Sequence, residues 1–193
     1  MGFIFPDQRI NIDFDFIGQL EGKGLLNGYV PDANNSKSGV TIATGFDLGA
    51  RNVHDLKSLG LSASLIEKLS PYLGYQGREA LEILAKQPLY INEIQAAVID
   101  EAVKYQMTKR VIELYNEHSQ IDFAVLPARW QTVISSVAFQ YGNLAKRCPR
   151  FFEAVITQDW EKAISELRDF GDNYSARRLQ EADYATLIQT HED

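Results

Sequence analysis

A glutamate and an aspartate bracket a glycine-rich stretch in the first quarter of the sequence. Glu21 closes the apolar segment IDFDFIGQLE, and Asp47 stands in TGFDLG after a β-branched run. Two carboxylates brought together by a tight hairpin are the smallest set of catalytic groups that can hydrolyse a glycosidic bond. One carboxyl must stay protonated to act as a general acid, while the other must stay ionised. Residues 21–49 are therefore the candidate active site.

The two carboxyls have the different surroundings that this chemistry requires. Glu21 follows several apolar residues at a predicted helix end, where partial burial can keep its carboxyl protonated. Asp47 has two threonines, Thr41 and Thr44, and a glycine-rich turn nearby, which suits an ionised group. Asp47 would hold a water on the opposite face of the sugar or stabilise developing positive charge.

Thr41 and Thr44 are alternative candidates for a hydroxyl that acts beside Asp47. In a strand over Val40–Thr44, alternation places Thr41 and Thr44 on opposite faces, so one of them faces the cleft. A hydroxyl there can position the attacking water together with Asp47. The β-propensity of threonine on a hairpin explains the same pattern without any catalytic role.

These residues need a helix and a hairpin to position them. The apolar residues of Ile10–Leu20 alternate through Phe16, which also fits a strand, but the spacing of Phe16, Ile17 and Leu20 favours a helix. Glu21 would lie in its last turn, before the glycines that end it. Leu25–Val30 and Val40–Thr44 read as two strands joined by the polar loop Pro31–Gly39.

The rest of the chain is predicted to be helical. Apolar residues recur at helical spacing between Gly, Pro and capping signals, and the longest helix follows a cap at Asn92. That helix is expected to form the core of a second lobe. The predicted helices cover residues 53–59, 62–69 or 62–73, 76–86, 93–117, 128–141, 150–157, 160–170 and 175–189. The fold class is α+β, mainly helical, in one domain with a hairpin-containing lobe (about 1–60) and a helical lobe (about 61–193) flanking a cleft.

Composition excludes several classes of function. A net charge of −7 argues against a nucleic-acid partner, because phosphate binding requires a concentrated basic face. The single cysteine, Cys148, allows no internal disulfide and is expected to pack rather than react. His54, His118 and His191 lack metal-ligand spacing, so neither metal nor cofactor is expected.

The N-terminal residues lack a basic region followed by an apolar run, so no signal peptide is expected. No stretch is apolar for long enough to span a bilayer, and stable membrane insertion is not expected. We expect a monomer made in the cytoplasm. If its substrate lies outside the cytoplasm, another system must deliver or release it.

A spaced series of motifs resembles a known family. Glu21 in LEGKG, then GYVPD, then SGVTIATGFDLG are similar to the C-terminal muramidase domain of pesticin-type bacteriocins and related lysozyme-like toxins, which share the fold of T-even phage lysozyme. The resemblance implies cleavage of the β-1,4 bond between N-acetylmuramic acid and N-acetylglucosamine in peptidoglycan. It also implies that Glu21 is the proton donor, Asp47 the water-positioning carboxylate and Thr41 its hydroxyl partner.

Two later segments extend the resemblance to roughly residues 14–187. VAFQYGN, residues 137–143, is similar to a helix-ending motif of phage lysozymes, with Gln140 in place of an asparagine. SARRLQEA, residues 175–182, resembles their Arg-Arg-x-x-Glu segment, which implies that Arg177 or Arg178 faces the catalytic glutamate across the cleft.

The biological role follows from the resemblance as an expectation. The protein would act on glycan strands in the periplasm or at the cell wall of a target bacterium, as a secreted effector, bacteriocin domain or phage lysin. A self-toxic form would need a neutralising immunity protein. Two alternative functions are a catalytically silent glycan-binding module and a lytic transglycosylase, which uses one glutamate and no water-activating aspartate.

Overall fold

The computed structural model describes residues 7–22 and 24–186. Within these residues the chain is mainly helical and has one small antiparallel sheet, with strand order β1-β2-β3. The α+β class predicted from the sequence is thereby confirmed. The elements are α1 Phe14–Glu21, β1 Leu25–Tyr29, β2 Thr41–Ala43, β3 Phe46–Asp47, α2 Val53–Ser58, α3 Ala63–Leu69, α4 Gly77–Lys86, α5 Glu93–His118, α6 Ala128–Tyr141, α7 Leu144–Arg147, α8 Pro149–Ile156, α9 Trp160–Arg168 and α10 Ser175–Thr186.

The first helix is shorter than the predicted Ile10–Leu20. It begins at Phe14 because the Asp13 carboxylate accepts the backbone N–H of Phe16 at 2.8 Å, as an N-cap does. Asp13 also accepts the Tyr184 hydroxyl at 3.0 Å, so both of its carboxylate oxygens have structural partners. Glu21 is the last residue of the helix, as predicted, and Gly22 follows at φ 80°.

The sheet has a third strand that the predicted hairpin lacks. The second strand ends at Ala43, and the chain reverses at once into Phe46–Asp47. Ala43 at φ 51° and Gly45 at φ 80° make this reversal, since both adopt the left-handed conformation that a tight turn requires. Asp47 therefore lies on the third strand, after the turn that follows β2.

Capping residues define most helix starts. The side chain of Asn52 accepts the N–H of His54 and Asp55 at the start of α2, and Ser62 accepts that of Leu65 in α3. Asn92 accepts the N–H of Gln95 at 2.8 Å, which confirms the predicted cap of the long helix. The predicted end of the last helix, Gln189, lies outside the described residues.

The chain divides into two compact units, and the sheet unit comprises Glu21–Gln106. Its core joins strand residues, such as Ile42 and Phe46, to the buried leucines of α2 and α3. The expected boundary near residue 60 therefore differs from this division. Helices α2 to α4 belong with the sheet because their leucines share its core.

The described part of the helical unit comprises residues 7–20 and 107–186. Helix α6 forms its centre, with every residue from Trp130 to Ala138 buried. The segment before α1 is attached to it, since Gln131 Oε1 accepts the Asn11 N–H at 2.8 Å and Thr132 Oγ1 accepts the Asp13 N–H at 2.9 Å. Helix α5 contributes residues 93–106 to the sheet unit and 107–118 to the helical unit, so it is not a core helix of one lobe alone.

None of the helices in the described ranges is long and apolar enough to cross a membrane.

Candidate active site

Thr41 and Asp47 are direct partners across the β2–β3 ladder. The register pairs Thr41 with Asp47 and Ile42 with Phe46, and directly opposed residues point to the same face of a sheet. Thr41 therefore shares its face with Asp47. This register favours Thr41 over Thr44 as the hydroxyl partner.

The Asp47 carboxylate is held by the glycine-rich backbone on either side of it. Its Oδ1 accepts the N–H of Gly39 at 2.9 Å and the N–H of Gly49 at 2.8 Å. Both donors bond to the same oxygen, which leaves Oδ2 to act on a substrate or water.

Only glycine fits at these two donors. A Cβ built on Gly39 would lie 2.3 Å from Gly49 Cα, and one built on Gly49 would lie 2.6 Å from Gly39 Cα. The two backbone segments thus approach as closely as glycine alone allows, and this contact aims both N–H groups at one oxygen. The glycines of SGVTIATGFDLG have a direct role in placing Asp47.

Thr41 is a buried hydroxyl whose proton is already engaged. The residue is 3% exposed, and Oγ1 donates to the carbonyl of Gly39 at 3.1 Å. Since the proton points at Gly39, the lone pairs of Oγ1 are what Thr41 can offer to a water. Gly39 consequently touches both site residues, Thr41 through its carbonyl and Asp47 through its N–H.

Thr44 has a different partner from the one its position in the sequence suggests. Its N–H donates to Asp100 Oδ1 at 3.0 Å, and its hydroxyl donates to Asp100 Oδ2 at 2.8 Å. Asp100 lies on α5, 56 residues along the chain. Sequence reasoning missed Asp100, because no local pattern distinguishes it from the other acidic residues of that helix.

Glu21 enters the sheet unit from the end of α1. It is half-buried, and three residues later a Cβ built on Gly24 would lie 3.0 Å from Thr44 Oγ1 and 3.1 Å from Ala43 C. The first strand begins at Leu25, which pairs with Ala43 of β2. The chain that leaves Glu21 therefore continues into β1, which pairs with β2, the strand that carries Thr41.

Arg177, Arg178 and Gln140 meet in a buried polar network of the helical unit. Arg178 is 1% exposed and donates to Glu181, to Gln140 Oε1 and, from Nε, to Asp172 Oδ2 at 3.1 Å. Gln140 therefore makes a polar contact at the position where the similar phage-lysozyme motif has asparagine. Its partner is an arginine of the second motif.

Arg177 occupies the outer side of the same network. Its Nε donates to Glu181 Oε1 at 3.2 Å, and its Nη2 donates to the carbonyl and hydroxyl of Ser136, both at 3.1 Å. Its side chain is 14% exposed, against 1% for Arg178. The implied cleft-facing role of one arginine stays a prediction, and exposure favours Arg177 for it.

Tyr141 and Asp172 extend this network. The Tyr141 hydroxyl donates to Asp172 Oδ2 at 2.5 Å, and burial together with the neighbouring carboxylate raises the pKa of Tyr141 to about 12. Burial alone would raise the pKa of Asp172. The hydrogen bonds from Tyr141, the backbone of Tyr174 and Arg178 outweigh burial and hold that pKa below its ordinary value.

Cys148 is a packing residue by its environment. It is 6% exposed, and burial raises the pKa of its thiol to about 11, which leaves very little thiolate near neutral pH. Within residues 7–22 and 24–186, no group of three or more His, Cys, Asp and Glu side chains is arranged to hold a metal ion.

The fold and the site together define a lysozyme-like domain of the α+β class. A family model described as pesticin, the C-terminal bacterial toxin homologue of phage lysozyme, matches residues 11–161. The match covers more than half of the chain, and the chain belongs to this family. A comparison with curated proteins found no significant match.

Proposed function

We propose that this chain is a muramidase that cleaves the β-1,4 bond between N-acetylmuramic acid and N-acetylglucosamine. The observation that carries the proposal is the pairing of Thr41 with Asp47 on one face of the small sheet. Membership of a family of phage-lysozyme homologues supports a glycosidase of this kind.

In the proposed mechanism, Asp47 and Thr41 orient the attacking water. The water donates one O–H to Asp47 Oδ2 and the other to a lone pair of Thr41 Oγ1, because the threonine proton is engaged by Gly39. With both protons held, an oxygen lone pair of the water attacks the anomeric carbon, and the water proton that points at Asp47 passes to its carboxylate as the new C–O bond forms. Positioning of this kind lowers the barrier by removing the entropy of the encounter.

Glu21 supplies the proton in this mechanism. A glutamic acid at a half-buried helix end can protonate the glycosidic oxygen as the bond to the anomeric carbon breaks. Direct displacement by water inverts the anomeric configuration and requires carboxyl groups about 6.5 to 9.5 Å apart. The first product would then be the α-anomer.

The test is digestion of purified peptidoglycan, with the released muropeptides analysed by mass spectrometry. Glu21→Gln should lower the rate about 10²- to 10⁴-fold, since it removes the general acid without changing the side-chain shape. Glu161→Gln, the same change at an exposed position of α9, is the matched control and should retain the wild-type rate.

The products separate this proposal from its alternatives. Muropeptides ending in reducing N-acetylmuramic acid support it, whereas 1,6-anhydro ends identify a lytic transglycosylase. Binding to peptidoglycan with no release of soluble fragments by the wild type identifies a silent glycan-binding module. Full activity of Glu21→Gln would overturn the assignment of Glu21.

We further propose that the protein acts as an antibacterial toxin at the wall of a target bacterium, after delivery or release from the cell that makes it. The description of the family as bacterial toxins supports this role. A cell whose own wall contains the substrate would need a neutralising immunity protein. Co-expression of the neighbouring open reading frame should restore growth to cells that the toxin lyses, and continued lysis would argue against that partner.

A further inference from the structure

We propose that Asp100 is a positioning residue for the catalytic pair, acting through Thr44 to hold the turn that sets Thr41 opposite Asp47. The inference rests on the proposed function. It starts from the two hydrogen bonds that the Asp100 carboxylate accepts from Thr44, one from the N–H at 3.0 Å and one from the hydroxyl at 2.8 Å.

The ladder that aligns Thr41 with Asp47 is too short to hold its own register. The second strand has three residues and the third has two, and only two residue pairs join them. A register shift by one residue would move Asp47 to the other face of the sheet and separate it from Thr41. Something outside these strands must fix the connection between them.

That connection adopts an unfavourable backbone conformation. Ala43 has φ 51°, a region that an L-residue with a Cβ rarely adopts, and Gly45 follows at φ 80°. Such a conformation persists only where the surrounding contacts over-determine it. Thr44 lies between these two residues, so its two bonds to Asp100 act at the centre of the strained turn.

Asp100 is itself on a rigid base. Its neighbours on α5, Ile99 and Ala102, are 0% and 3% exposed and pack in the same core as Ile42 and Phe46 of the sheet. Hydrogen bonds to an ionised carboxylate are stronger than those between neutral groups. The two hydrogen bonds between Thr44 and Asp100 thus form a clamp, in which α5 supplies the acceptor and the turn supplies the donors.

Two other contacts hold the same site through different residues. Gly39 and Gly49 hold the Asp47 carboxylate through their N–H groups, while Asp100 holds the turn through Thr44. Asp100 does not bond to Asp47 or Thr41 in these interactions. Its effect on the reaction would consist of fixing their alignment.

The test compares Asp100→Asn, Thr44→Val and Thr44→Ser in the 193-residue chain. Asp100→Asn keeps the shape of the side chain but turns one acceptor into a donor, and it should lower kcat about tenfold with KM changed less than twofold. Thr44→Val removes the hydroxyl bond and should lower kcat by a similar factor. Thr44→Ser keeps both donors and should restore near wild-type kcat. The double variant Asp100→Asn/Thr44→Val should be no slower than the slower of the two single variants, because both changes disrupt the same hydrogen bonds between Thr44 and Asp100.

Asp159→Asn is the matched control for charge and shape. Asp159 is exposed and caps α9 by accepting the Lys162 N–H at 3.1 Å, a role that asparagine also performs. It should keep the wild-type kcat. Circular dichroism spectra of all variants establish that each is folded at the assay temperature.

Nuclear magnetic resonance separates failure of the clamp from failure of the proposed function. In Asp100→Asn, hydrogen exchange at the Thr44 amide should accelerate, and the cross-strand contacts between Thr41 and Asp47 should weaken. Unchanged exchange and contacts, or an unchanged kcat in an active enzyme, would overturn the role of Asp100. A wild type that releases no muropeptides would overturn the muramidase proposal, while the exchange data would still decide whether Asp100 holds the turn.

Discussion

Arg178 is one of the largest side chains that the structure buries completely, and it carries a charge. Its guanidinium lies between Asp172 and Glu181, and it stacks over the ring of Phe170 at 4.9 Å. A buried charge is tolerated only when its partners replace the water that it has lost. Glu181 is 0% exposed and depends on the two arginines in the same way.

We predict that Arg178→Ala destabilises the protein by about 3 to 5 kcal/mol, because it leaves the buried Glu181 with only one of its two cationic partners. The free energy of unfolding, measured by urea denaturation, checks this. Arg168→Ala is the matched control, since its pair with Asp183 is at 2.9 Å but exposed, and it should cost less than about 1 kcal/mol. Equal losses in the two variants would show that burial of the Arg178 network contributes nothing to stability.

The carboxylate of Asp172 makes the stability of the fold depend on pH in the acidic range. The pKa of Asp172 lies below its ordinary value of 3.8 because hydrogen bonds outweigh burial. A carboxyl with a lowered pKa in the folded state stabilises the fold at pH values above the unfolded pKa and loses this effect as pH falls through the folded one.

We therefore predict how the stability difference between wild type and Asp172→Asn varies with pH. The difference should be constant well above pH 3.8 and should shrink as the pH falls below it, because protonation of the wild-type carboxyl removes the same charge. Urea denaturation over a series of pH values measures it. A difference that stays constant into strong acid would contradict the lowered pKa.

The glycine-rich connections of the sheet act as one element with its strands. Gly39 lies before β2 and Gly49 lies after β3, and their backbones touch so closely that both N–H groups reach Asp47. The short strands alone could not achieve this convergence. The glycines contribute by lacking a Cβ, and not by flexibility.

We predict that Gly39→Ala lowers both stability and the proposed muramidase activity. The added methyl group would lie 2.3 Å from Gly49 Cα and 2.6 Å from the Tyr75 carbonyl oxygen, so the backbone must shift and the Asp47 carboxylate with it. A loss of about 1 to 3 kcal/mol is typical of overpacking. Thermal unfolding and peptidoglycan digestion measure the two effects.

Gly18→Ala provides the control for that prediction. Gly18 lies within α1, and beyond its two neighbours in the chain and the nearby backbone of its own helix, no heavy atom lies within 4 Å of the position that a Cβ would take. Alanine is favoured over glycine inside a helix by up to about 1 kcal/mol, so this variant should be as stable as the wild type or more stable. If both alanine variants behaved alike, the close approach of Gly39 and Gly49 would not explain the result.

The sequence predicts the elements with regular spacing far better than the contacts that build the site. Apolar residues repeat over several turns in α5 and α6, so both helices are foreseeable within a residue or two. The third strand has only two residues, too few for any alternation to appear. The bond between Thr44 and Asp100 joins distant parts of the chain, and neither residue has a local signal for the other.

The residues of the candidate site can likewise be predicted from the sequence only in part. Glu21 and Asp47 stand out because carboxyl groups near a glycine-rich turn have a recognisable chemistry. The choice of Thr41 over Thr44 depends on the strand register, which a five-residue run such as VTIAT does not specify once the turn begins inside it. Burial of Arg178 likewise becomes visible only when α6 and α10 are packed together.

The family match ends at residue 161, whereas the fold of the helical unit continues beyond it. Helix α10 supplies Ala182 and Ala185 to the core and Glu181 to the Ser136 hydroxyl at 2.5 Å. It packs against both α6 and α9. The whole molecule is therefore the unit to test for activity, and a fragment limited to the matched residues would lack part of its own core.

The proposed substrate makes the effect of the full chain depend on the compartment. Peptidoglycan lies outside the inner membrane of a Gram-negative cell, so a muramidase can reach it only from the periplasm. We predict that the full chain fused to a secretory signal lyses a Gram-negative host within one or two generations of induction, measured as a fall in culture turbidity. The same chain expressed without the signal should leave growth unchanged.

Glu21→Gln fused to the same signal distinguishes wall cleavage from general toxicity in this experiment. It should permit growth at an equal level of periplasmic protein, because the proposed general acid is missing while the fold is expected to be unchanged. Lysis by the exported Glu21→Gln variant would mean that the protein kills by another route, and lysis by the form retained in the cytoplasm would mean that peptidoglycan is not the target.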